Sequence, residues 1–235
     1  KILSKAVNCL NPINGNPCNE CEICKGLDSG AILDVVEIDA ASNNGVENIR
    51  DIRDEQNEEG AFCCCSPRIS FGGIPADPVC SSYLVAGLQA YLHTGNTAIL
   101  AESYDGFAAW ENCLLANSTD YIVNYSYYGD WAGPEYACAA KEDPHSGSTD
   151  GILMSTGYSY YNCCLLVKFA EILGRTEDAE TYAKLADRVK KAFLTKWWNA
   201  DTAKVDRGSQ GAQAFALWLG ILPEESRQAA ADVAA

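Results

Sequence analysis

Four of the twelve cysteines stand close together near the N-terminus, in the pattern C-x8-C-x2-C-x2-C, at Cys9, Cys18, Cys21 and Cys24. Zinc takes four soft ligands in a tetrahedron, and each C-x2-C turn can present two thiolates to one ion. Pro12, Gly15 and Pro17 interrupt regular structure between the ligands, as a knuckle loop requires. Free or disulfide-linked cysteines are the alternative. The compact spacing and the polar turn residues favour a zinc knuckle, so Zn²⁺ is the predicted cofactor.

A second group of residues that could bind a ligand is aromatic. The stretch DYIVNYSYYGDWAGPEY contains six tyrosines or tryptophans in 17 residues, which are Tyr121, Tyr125, Tyr127, Tyr128, Trp131 and Tyr136. Aromatic faces stack on the apolar sides of sugar rings, and neighbouring Asp and Asn side chains bind hydroxyl groups. A packed cluster of loop aromatics is the alternative, and the stretch alone does not decide between the two.

Composition narrows the classes of partner. The net charge is −15, with 32 acidic against 17 basic side chains. Such a surface repels phosphate, so we expect no direct nucleic-acid partner. No stretch approaches the roughly 20 apolar residues of a membrane span, so no membrane association is expected. Adjacent cysteines such as Cys163 and Cys164 pair poorly with each other, which favours a reducing, cytoplasmic setting.

The elements that position these residues differ along the chain. Residues 32–40, ILDVVEIDA, read as a strand, and 42–45, SNNG, as a turn. The following VENIRDIRDE predicts a helix with Val46, Ile49 and Ile52 on one face.

Beyond residue 56 the pattern predicts long helices joined by loops. Predicted helices cover Tyr83–His93, Ile99–Leu115, Thr176–Phe193 and Gln210–Leu219. Thr176 is predicted to cap its helix, and Gly174 to end the preceding one.

Residues 1–55 resemble the gamma/tau clamp-loader subunits of bacterial DNA polymerase III. The resemblance rests on KAVNCLNP, PCNECEICKG and LDVVEIDAASNNGVENIRDIRD. That family is an AAA+ ATPase with a zinc module, and the resemblance implies the same four cysteines as ligands. The P-loop of the family would lie before Lys1 and its remaining catalytic motifs beyond Asp54, so we expect no ATP hydrolysis.

Residues 50–235 resemble the bacterial α-L-rhamnosidases of glycoside hydrolase family 78. The stretches that carry the resemblance include RDIRDEQNEEGAF, GGIPADPV, DYIVNYSYYGDW and SQGAQAFALWLGILPEE. The implied fold is mainly α: an incomplete (α/α)6 toroid of the six-hairpin glycosidase type, with a small α/β zinc-knuckle segment at the N-terminus. The implied partner is a rhamnose-containing glycan or glycoside, which the intact family hydrolyses with inversion.

The resemblance also implies which site residues are present. Inverting hydrolysis needs a carboxylic acid and a carboxylate base. The acid of the family lies in a motif upstream of RDIRDEQ, where this chain has the cysteine segment, and its base lies beyond LGILPEE. We therefore expect no catalytic residue and an inactive fragment. Asp130 and Trp131 are the predicted substrate contacts. Cys80 and Ser81–Ser82 replace the tryptophan and the Gly-Asp pair that the family usually has after GGIPADPV.

The two resemblances overlap at RDIRDE, Arg50–Glu55. Short identity at a join arises both from recombination and from misassembly of sequence reads, and one long read of the source DNA across codons 40–70 distinguishes the two. The predicted organisation is a clamp-loader-like fragment at 1–55 and a rhamnosidase-like fragment at 56–235. A zinc-bound interaction module without ATPase activity is the alternative function.

Overall fold

The computed structural model of the chain describes residues 5, 8–14, 16–29, 46–65, 74–78, 82–130 and 149–234. The chain divides into two compact units, Lys1–Asn44 and Gly45–Ala235. The strand predicted at 32–40 and the turn predicted at 42–45 lie outside the described residues. None of the helices in the described part combines the length and apolar character that a membrane crossing requires.

In the first unit, helix α1 (Glu22–Ser29) follows a loop that carries three of the four cysteines. The loop contains a tight turn in which Ile13 and Asn16 exchange backbone hydrogen bonds of 2.9 and 3.0 Å. Asn14 and Asn19 both have positive φ, which asparagine tolerates better than most residues. The turn at Ile13–Asn16 reverses the chain between Cys9 and Cys18, so these two cysteines can approach each other.

The second unit is built from helices, with two short hairpins between them. The helices in chain order are α2 (Val46–Asp54), α3 (Ser82–Thr94), α4 (Ala98–Ala116), α5 (Gly151–Leu173), α6 (Thr176–Trp197), α7 (Gln210–Leu219) and α8 (Arg227–Ala234). The antiparallel pairs β1 (Ser118–Thr119) with β2 (Ile122–Val123), and β3 (Trp198–Asn199) with β4 (Lys204–Val205), follow α4 and α6. Short connections make α3–α4 and α5–α6 antiparallel helical hairpins, which confirms the predicted fold class.

The predicted helix ends lie within one residue of the observed ones, except that α6 continues to Trp197, four residues past the predicted Phe193. Gly174 ends α5 in the left-handed conformation, as predicted, with φ of 71°. The prediction that Thr176 caps α6 was wrong, because Arg175 occupies the N-cap position without a side-chain hydrogen bond. The physical reason is the brevity of the turn. Arg175 alone separates Gly174 from α6, so the chain is already helical at Thr176.

Aromatic side chains dominate the two cores of the second unit. In the first core Trp110 is fully buried and its ring lies 4.4 Å from that of Phe62. The ring centre of Phe107 lies 4.5 Å from that of Tyr83 and 5.3 Å from that of Phe169. These contacts pack α3, α4 and α5 against one another. The second core lies between α5, α6, α7 and α8, around Leu153, Phe193, Trp197, Phe215 and Leu219.

Residues on either side of the predicted junction pack in the second unit. Ile49 of α2 is fully buried in the first core, and Arg50 forms an ion pair of 3.1 Å with Glu102 of α4. The Gln56 side-chain amide donates to the carbonyl groups of Gly60 and Gly106 at 2.9 and 3.0 Å. Helix α2 thus belongs to the rhamnosidase-like unit in space, although its sequence fits both families. The predicted boundary at residues 55 and 56 concerns sequence origin and stays a prediction.

Close packing between α5 and α7 depends on a missing side chain. A Cβ atom placed on Gly157 would lie 2.3 Å from Cε1 of Phe215 and 2.9 Å from Cδ1 of Leu219. We expect Gly157→Ala to lower the free energy of unfolding by about 1–3 kcal/mol through overpacking, measured by urea denaturation. The double variant Gly157→Ala/Phe215→Leu should recover part of this loss. A single variant as stable as the wild type would contradict the packing.

Candidate functional site

The four predicted cysteine ligands converge in the first unit. Their Sγ atoms all lie within 4.8 Å of one another, with Cys24 in the first turn of α1 and the other three before that helix. A tetrahedral zinc ion with Zn–S bonds of about 2.3 Å needs sulfurs about 3.8 Å apart. The sulfurs are close to that arrangement, so the donor set fits zinc, and four protein ligands would leave no position open for catalysis.

Backbone amides adjust the acidity of the cluster. The N–H of Cys18 donates to Sγ of Cys9 at 3.2 Å, and this contact lowers the pKa of Cys9. The N–H of Cys24 donates to Sγ of Cys21 at 3.5 Å and is the main cause of lowering the pKa of Cys21 to about 6. Burial raises the pKa of Cys24 to about 12. The backbone amides thus favour the thiolate form of Cys9 and Cys21, whereas burial favours the neutral thiol of Cys24.

An ion pair between the buried Lys5 and the exposed Asp28 involves a residue of α1. The Lys5 ammonium lies 2.6 Å from the Asp28 carboxylate and donates to Oδ1 of Asn19 at 3.2 Å. Asn19 has φ of 61° and lies between Cys18 and Cys21. Lys5 therefore fixes the turn that separates these two cysteines, a role that the cysteine spacing does not reveal.

In the second unit, Asp77 organises the loop that follows β2. Its Oδ2 accepts hydrogen bonds from the backbone N–H groups of Tyr127 and Tyr128, the latter at 2.8 Å, and from the Ser126 hydroxyl at 3.3 Å. The Tyr125 hydroxyl also donates to the Ala76 carbonyl at 2.9 Å. Asp77 is fully buried, so these charge-assisted bonds hold residues 125–128 in one conformation. The sequence patterns did not single out Asp77. Its position as an acid between Ala76 and Pro78 was the one local feature that could have drawn attention to it.

Further along the same loop, Asp130 lies against the start of α7. A Cβ atom on Gly211 would lie 2.9 Å from Oδ2 of Asp130 and 2.9 Å from Oγ1 of Thr149, so the absence of a side chain makes room for both. The Thr149 and Ser209 hydroxyl groups are 2.8 Å apart, and Ser209 caps α7 by accepting from the N–H of Ala212. The positive end of the α7 dipole favours the Asp130 carboxylate at this place.

The start of α5 lies at the same end of the second unit. Asp150 caps α5 by accepting from the N–H of Ile152 at 2.9 Å, and its other oxygen accepts from the Trp197 indole at 3.2 Å. A Cβ atom on Gly129 would lie 2.8 Å from Cα of Gly151, so the loop touches the helix start. We call this region the polar end and define it by Asp77, residues 125–130, Thr149–Gly151 and Ser209–Gly211.

The polar end combines acceptors, hydroxyl groups and aromatic rings. Asp77 and Asp150 already accept structural hydrogen bonds, whereas the half-buried Asp130 carboxylate borders the loop surface. Such a set suits hydrogen bonding to several neighbouring hydroxyl groups of a sugar. Of the two predicted substrate contacts, Asp130 lies in this end, and Trp131 lies outside the described residues.

We expect Asp77→Asn to loosen the polar end. The amide removes the charge that two backbone N–H groups and one hydroxyl now contact, so the free energy of unfolding should fall by about 1–3 kcal/mol. Amide hydrogen exchange at Tyr127 and Tyr128 should also accelerate, as measured by NMR. Asp105→Asn, at an exposed carboxylate of α4, is the control and should change stability by less than about 0.5 kcal/mol. Unchanged exchange at the two tyrosines would contradict this role.

Successive antiparallel helical hairpins, with loops that gather at one end, define a protein of the six-hairpin glycosidase class. A sequence model of the bacterial alpha-L-rhamnosidase 6 hairpin glycosidase domain matches residues 42–235, and the chain belongs to this family. It is 26% identical over 180 residues to the alpha-L-rhamnosidase of Formosa agariphila, a match that covers 77% of this chain and 19% of that protein. The chain thus spans about a fifth of this curated relative.

Solved structures agree with this assignment. The alpha-L-rhamnosidase from Dictyoglumus thermophilum superposes with a TM-score of 0.68 at 28% identity, covering 80% of this chain and 21% of that one. The Streptomyces avermitilis alpha-L-rhamnosidase, solved in complex with L-rhamnose, superposes with a TM-score of 0.63 at 26% identity. The match covers 79% of this chain and 17% of that one.

A different family matches the N-terminal segment. The tau subunit of DNA polymerase III from Bacillus subtilis is 64% identical over 55 residues, which are 23% of this chain and 10% of that protein. The gamma/tau subunit from Mycoplasma pneumoniae is 54% identical over 52 residues. The chain therefore joins sequences of two unrelated families.

Proposed function

We propose that the second unit is the substrate-binding part of an α-L-rhamnosidase domain, with the polar end as its glycoside site. The observation that carries the proposal is the position of the Asp130 carboxylate, which lies at the start of α7 and two residues after the loop segment that Asp77 holds. Asp130 would accept hydrogen bonds from sugar hydroxyl groups. Trp131, the next residue, would offer its ring to the apolar face of the sugar.

The ligand we propose is a rhamnose-containing glycan or glycoside. Family membership supports this choice, as does the L-rhamnose bound in the Streptomyces relative. Neutral sugars are compatible with the acidic chain, because their binding depends on hydrogen bonds and ring contacts rather than on net charge.

We also propose that the 235-residue chain does not hydrolyse rhamnosides by itself. Inverting hydrolysis needs an acid and a base about 6.5–9.5 Å apart. The family motif that supplies the acid lies upstream of RDIRDEQ, and here the cysteine segment stands in that place. The chain would then retain recognition of the sugar without turnover.

The test combines turnover with binding. The chain is incubated with an aryl α-L-rhamnoside, and L-rhamnose binding is measured by calorimetry for the wild type, Asp130→Asn and Asp201→Asn. We expect no release of the aryl group, and at least tenfold weaker binding for Asp130→Asn but not for Asp201→Asn, which changes an exposed turn residue. Turnover that disappears in Asp130→Asn would refute inactivity, and equal binding by all three proteins would refute the site.

A second candidate function concerns residues 1–55. The convergence of four cysteines and the 64% identity to a clamp-loader subunit favour a zinc-bound interaction module without ATPase activity. A reducing, cytoplasmic setting belongs to this proposal, because the four thiols must stay reduced to hold a metal. Surface plasmon resonance against bacterial clamp-loader subunits should show binding that a zinc chelator abolishes. Binding that survives removal of the metal would refute the module.

A further inference from the structure

A surface cavity of about 480 Å³ lies where the β1–β2 turn approaches the last turns of α6. Its lining includes Tyr121 from the turn and Arg188, Lys191, Thr195 and Lys196 from α6. None of the residues that define the polar end lines this cavity. It is therefore a separate place on the second unit, and the proposed rhamnoside site does not use it.

The charge of the cavity is opposite to that of the chain. Three cations, Arg188, Lys191 and Lys196, face a single acid, Asp120, whereas the chain as a whole carries −15. Among the residues that the structure describes, no carboxylate lies within ion-pair distance of any of the three cations. The cavity therefore has a local positive charge on a chain that is otherwise strongly acidic, and this favours binding of an anion there.

The aromatic wall of the cavity is held in an unfavourable backbone conformation. Asp120 and Tyr121 form a two-residue hairpin turn with φ of 51° and 66°. Turns of this type strongly favour Asn-Gly or Asp-Gly, because only small residues reach positive φ without strain. A bulky tyrosine at the second position is therefore an outlier, and such outliers concentrate at functional sites.

Arg188 fixes the tyrosine ring at the cavity edge. Its Nη1 donates to the Tyr121 hydroxyl at 3.1 Å, and its guanidinium carbon lies 5.8 Å from the ring centre. Tyr121 and Arg188 also line an adjoining cavity of about 470 Å³, so the ring stands as a partition between two openings. Lys196 contacts the Trp197 ring at 4.6 Å, and Lys191 is exposed on α6.

We propose that this cavity binds an anionic saccharide, that is, a sugar ring bearing a carboxylate or sulfate group. Arg188 and Lys191 would contact the anion, Tyr121 would contact the apolar face of the ring, and Thr195 and Asp120 would bind hydroxyl groups. The preference for an anion rests on the charges of the cavity. The choice of a saccharide rests on the proposed glycosidase function of the unit.

Calorimetric titration of the full chain with D-glucuronate, D-glucose and inorganic sulfate tests the proposal. We expect D-glucuronate to bind at least tenfold more tightly than either of the others, and added sodium chloride to weaken it. Lys191→Ala should weaken D-glucuronate binding about tenfold, whereas Lys168→Ala, at an exposed lysine of α5 outside the cavity, should leave it unchanged. Equal affinity for D-glucuronate and sulfate would refute the proposal that the ligand is a saccharide. Unchanged D-glucuronate affinity in Lys191→Ala would refute the proposal that this cavity is the binding site.

Tyr121→Gly separates binding from folding. The substitution creates an Asp-Gly turn, the combination that this hairpin geometry prefers, so the thermal midpoint should not fall. Glucuronate affinity should nevertheless drop about tenfold, because the ring is lost. Asp130→Asn should leave glucuronate binding unchanged, so failure of the rhamnoside site and failure of this cavity give different results. Full affinity in Tyr121→Gly would overturn the role of the ring.

Discussion

Replacement of Cys21 by serine is expected to weaken zinc binding strongly and to loosen the cysteine loop and α1. The Cys21 thiol has a pKa of about 6 and supplies a thiolate near neutral pH, whereas a serine hydroxyl stays protonated. Structural zinc contributes about 10–16 kcal/mol in small zinc modules, so the loss of one of four ligands should weaken affinity at least about a hundredfold. Native mass spectrometry measures the bound metal, and amide hydrogen exchange measures the order of α1.

The matched control is Cys65→Ser, which changes a half-buried cysteine of the second unit. This variant should retain one zinc ion per chain. A chelator added to the wild type should reproduce the effect of Cys21→Ser on α1 and leave the second unit folded. Zinc affinity of Cys21→Ser equal to that of the wild type, or a wild type that takes up no zinc, would contradict the assignment of the knuckle.

Glu111→Gln should remove a large pH dependence of stability. Glu111 of α4 is fully buried, and burial raises its pKa to about 8, although hydrogen bonds from Ser159, Asn162 and Cys163 oppose the shift. The Ser159 hydroxyl donates to Oε1 at 2.5 Å. Between the ordinary pKa of 4.5 and about 8, the folded chain keeps a proton that the unfolded chain releases. The free energy of unfolding therefore falls as pH rises through this window, by roughly 1 kcal/mol per pH unit.

Glutamine keeps the shape of the neutral acid and does not titrate. Urea denaturation at intervals from about pH 5 to pH 8 should therefore show a smaller decline for Glu111→Gln than for the wild type, with the variant more stable at the alkaline end. Glu171→Gln, at an exposed carboxylate near the end of α5, should decline as the wild type does. Parallel declines in the wild type and Glu111→Gln would show that Glu111 is ionised in the folded protein.

Local signals in the sequence predicted local features of the structure. The cysteine ligands lie within 16 positions of one another, so their spacing alone indicates a cluster. Helical periodicity placed Gln210–Leu219 at the observed bounds, because every turn of that helix repeats the same alternation of core and surface. The start of α6 at Thr176 was predicted correctly, but its cap was not, since a side chain able to cap does so only where the turn leaves its residue outside the helix.

Long-range polar contacts could not be predicted in the same way. Asp77 and the N–H of Tyr127 are 50 positions apart, and no periodic pattern links a buried acid to a distant backbone group. Glu111 is similar, because a glutamate in a helical pattern is ordinarily assigned to the solvent side. The roles of both acids can be identified only in the folded structure, where their hydrogen-bond partners surround them. The same applies to the cavity beside Tyr121, where residues from a hairpin turn and from α6 meet.

The junction illustrates how one segment can satisfy two folds. Ile49 and Ile52 give α2 an apolar face, and any helical core can accept such a face. In the second unit Ile49 fills the core beside α3 and α4, and Arg50 pairs with Glu102. Sequence continuity with the clamp-loader family thus stops at a helix that the rhamnosidase-like unit has incorporated.

Chemical-shift mapping of the full chain with methyl α-L-rhamnoside tests directly whether the polar end is the rhamnoside site. Saturable shifts are expected at the backbone amides of the polar end, namely Tyr128, Asp130, Thr149 and Gly211. No shift is expected at Tyr121 or Lys191. Saturable shifts confined to other parts of the chain, or none at high glycoside concentration, would contradict the assignment of the polar end as the rhamnoside site.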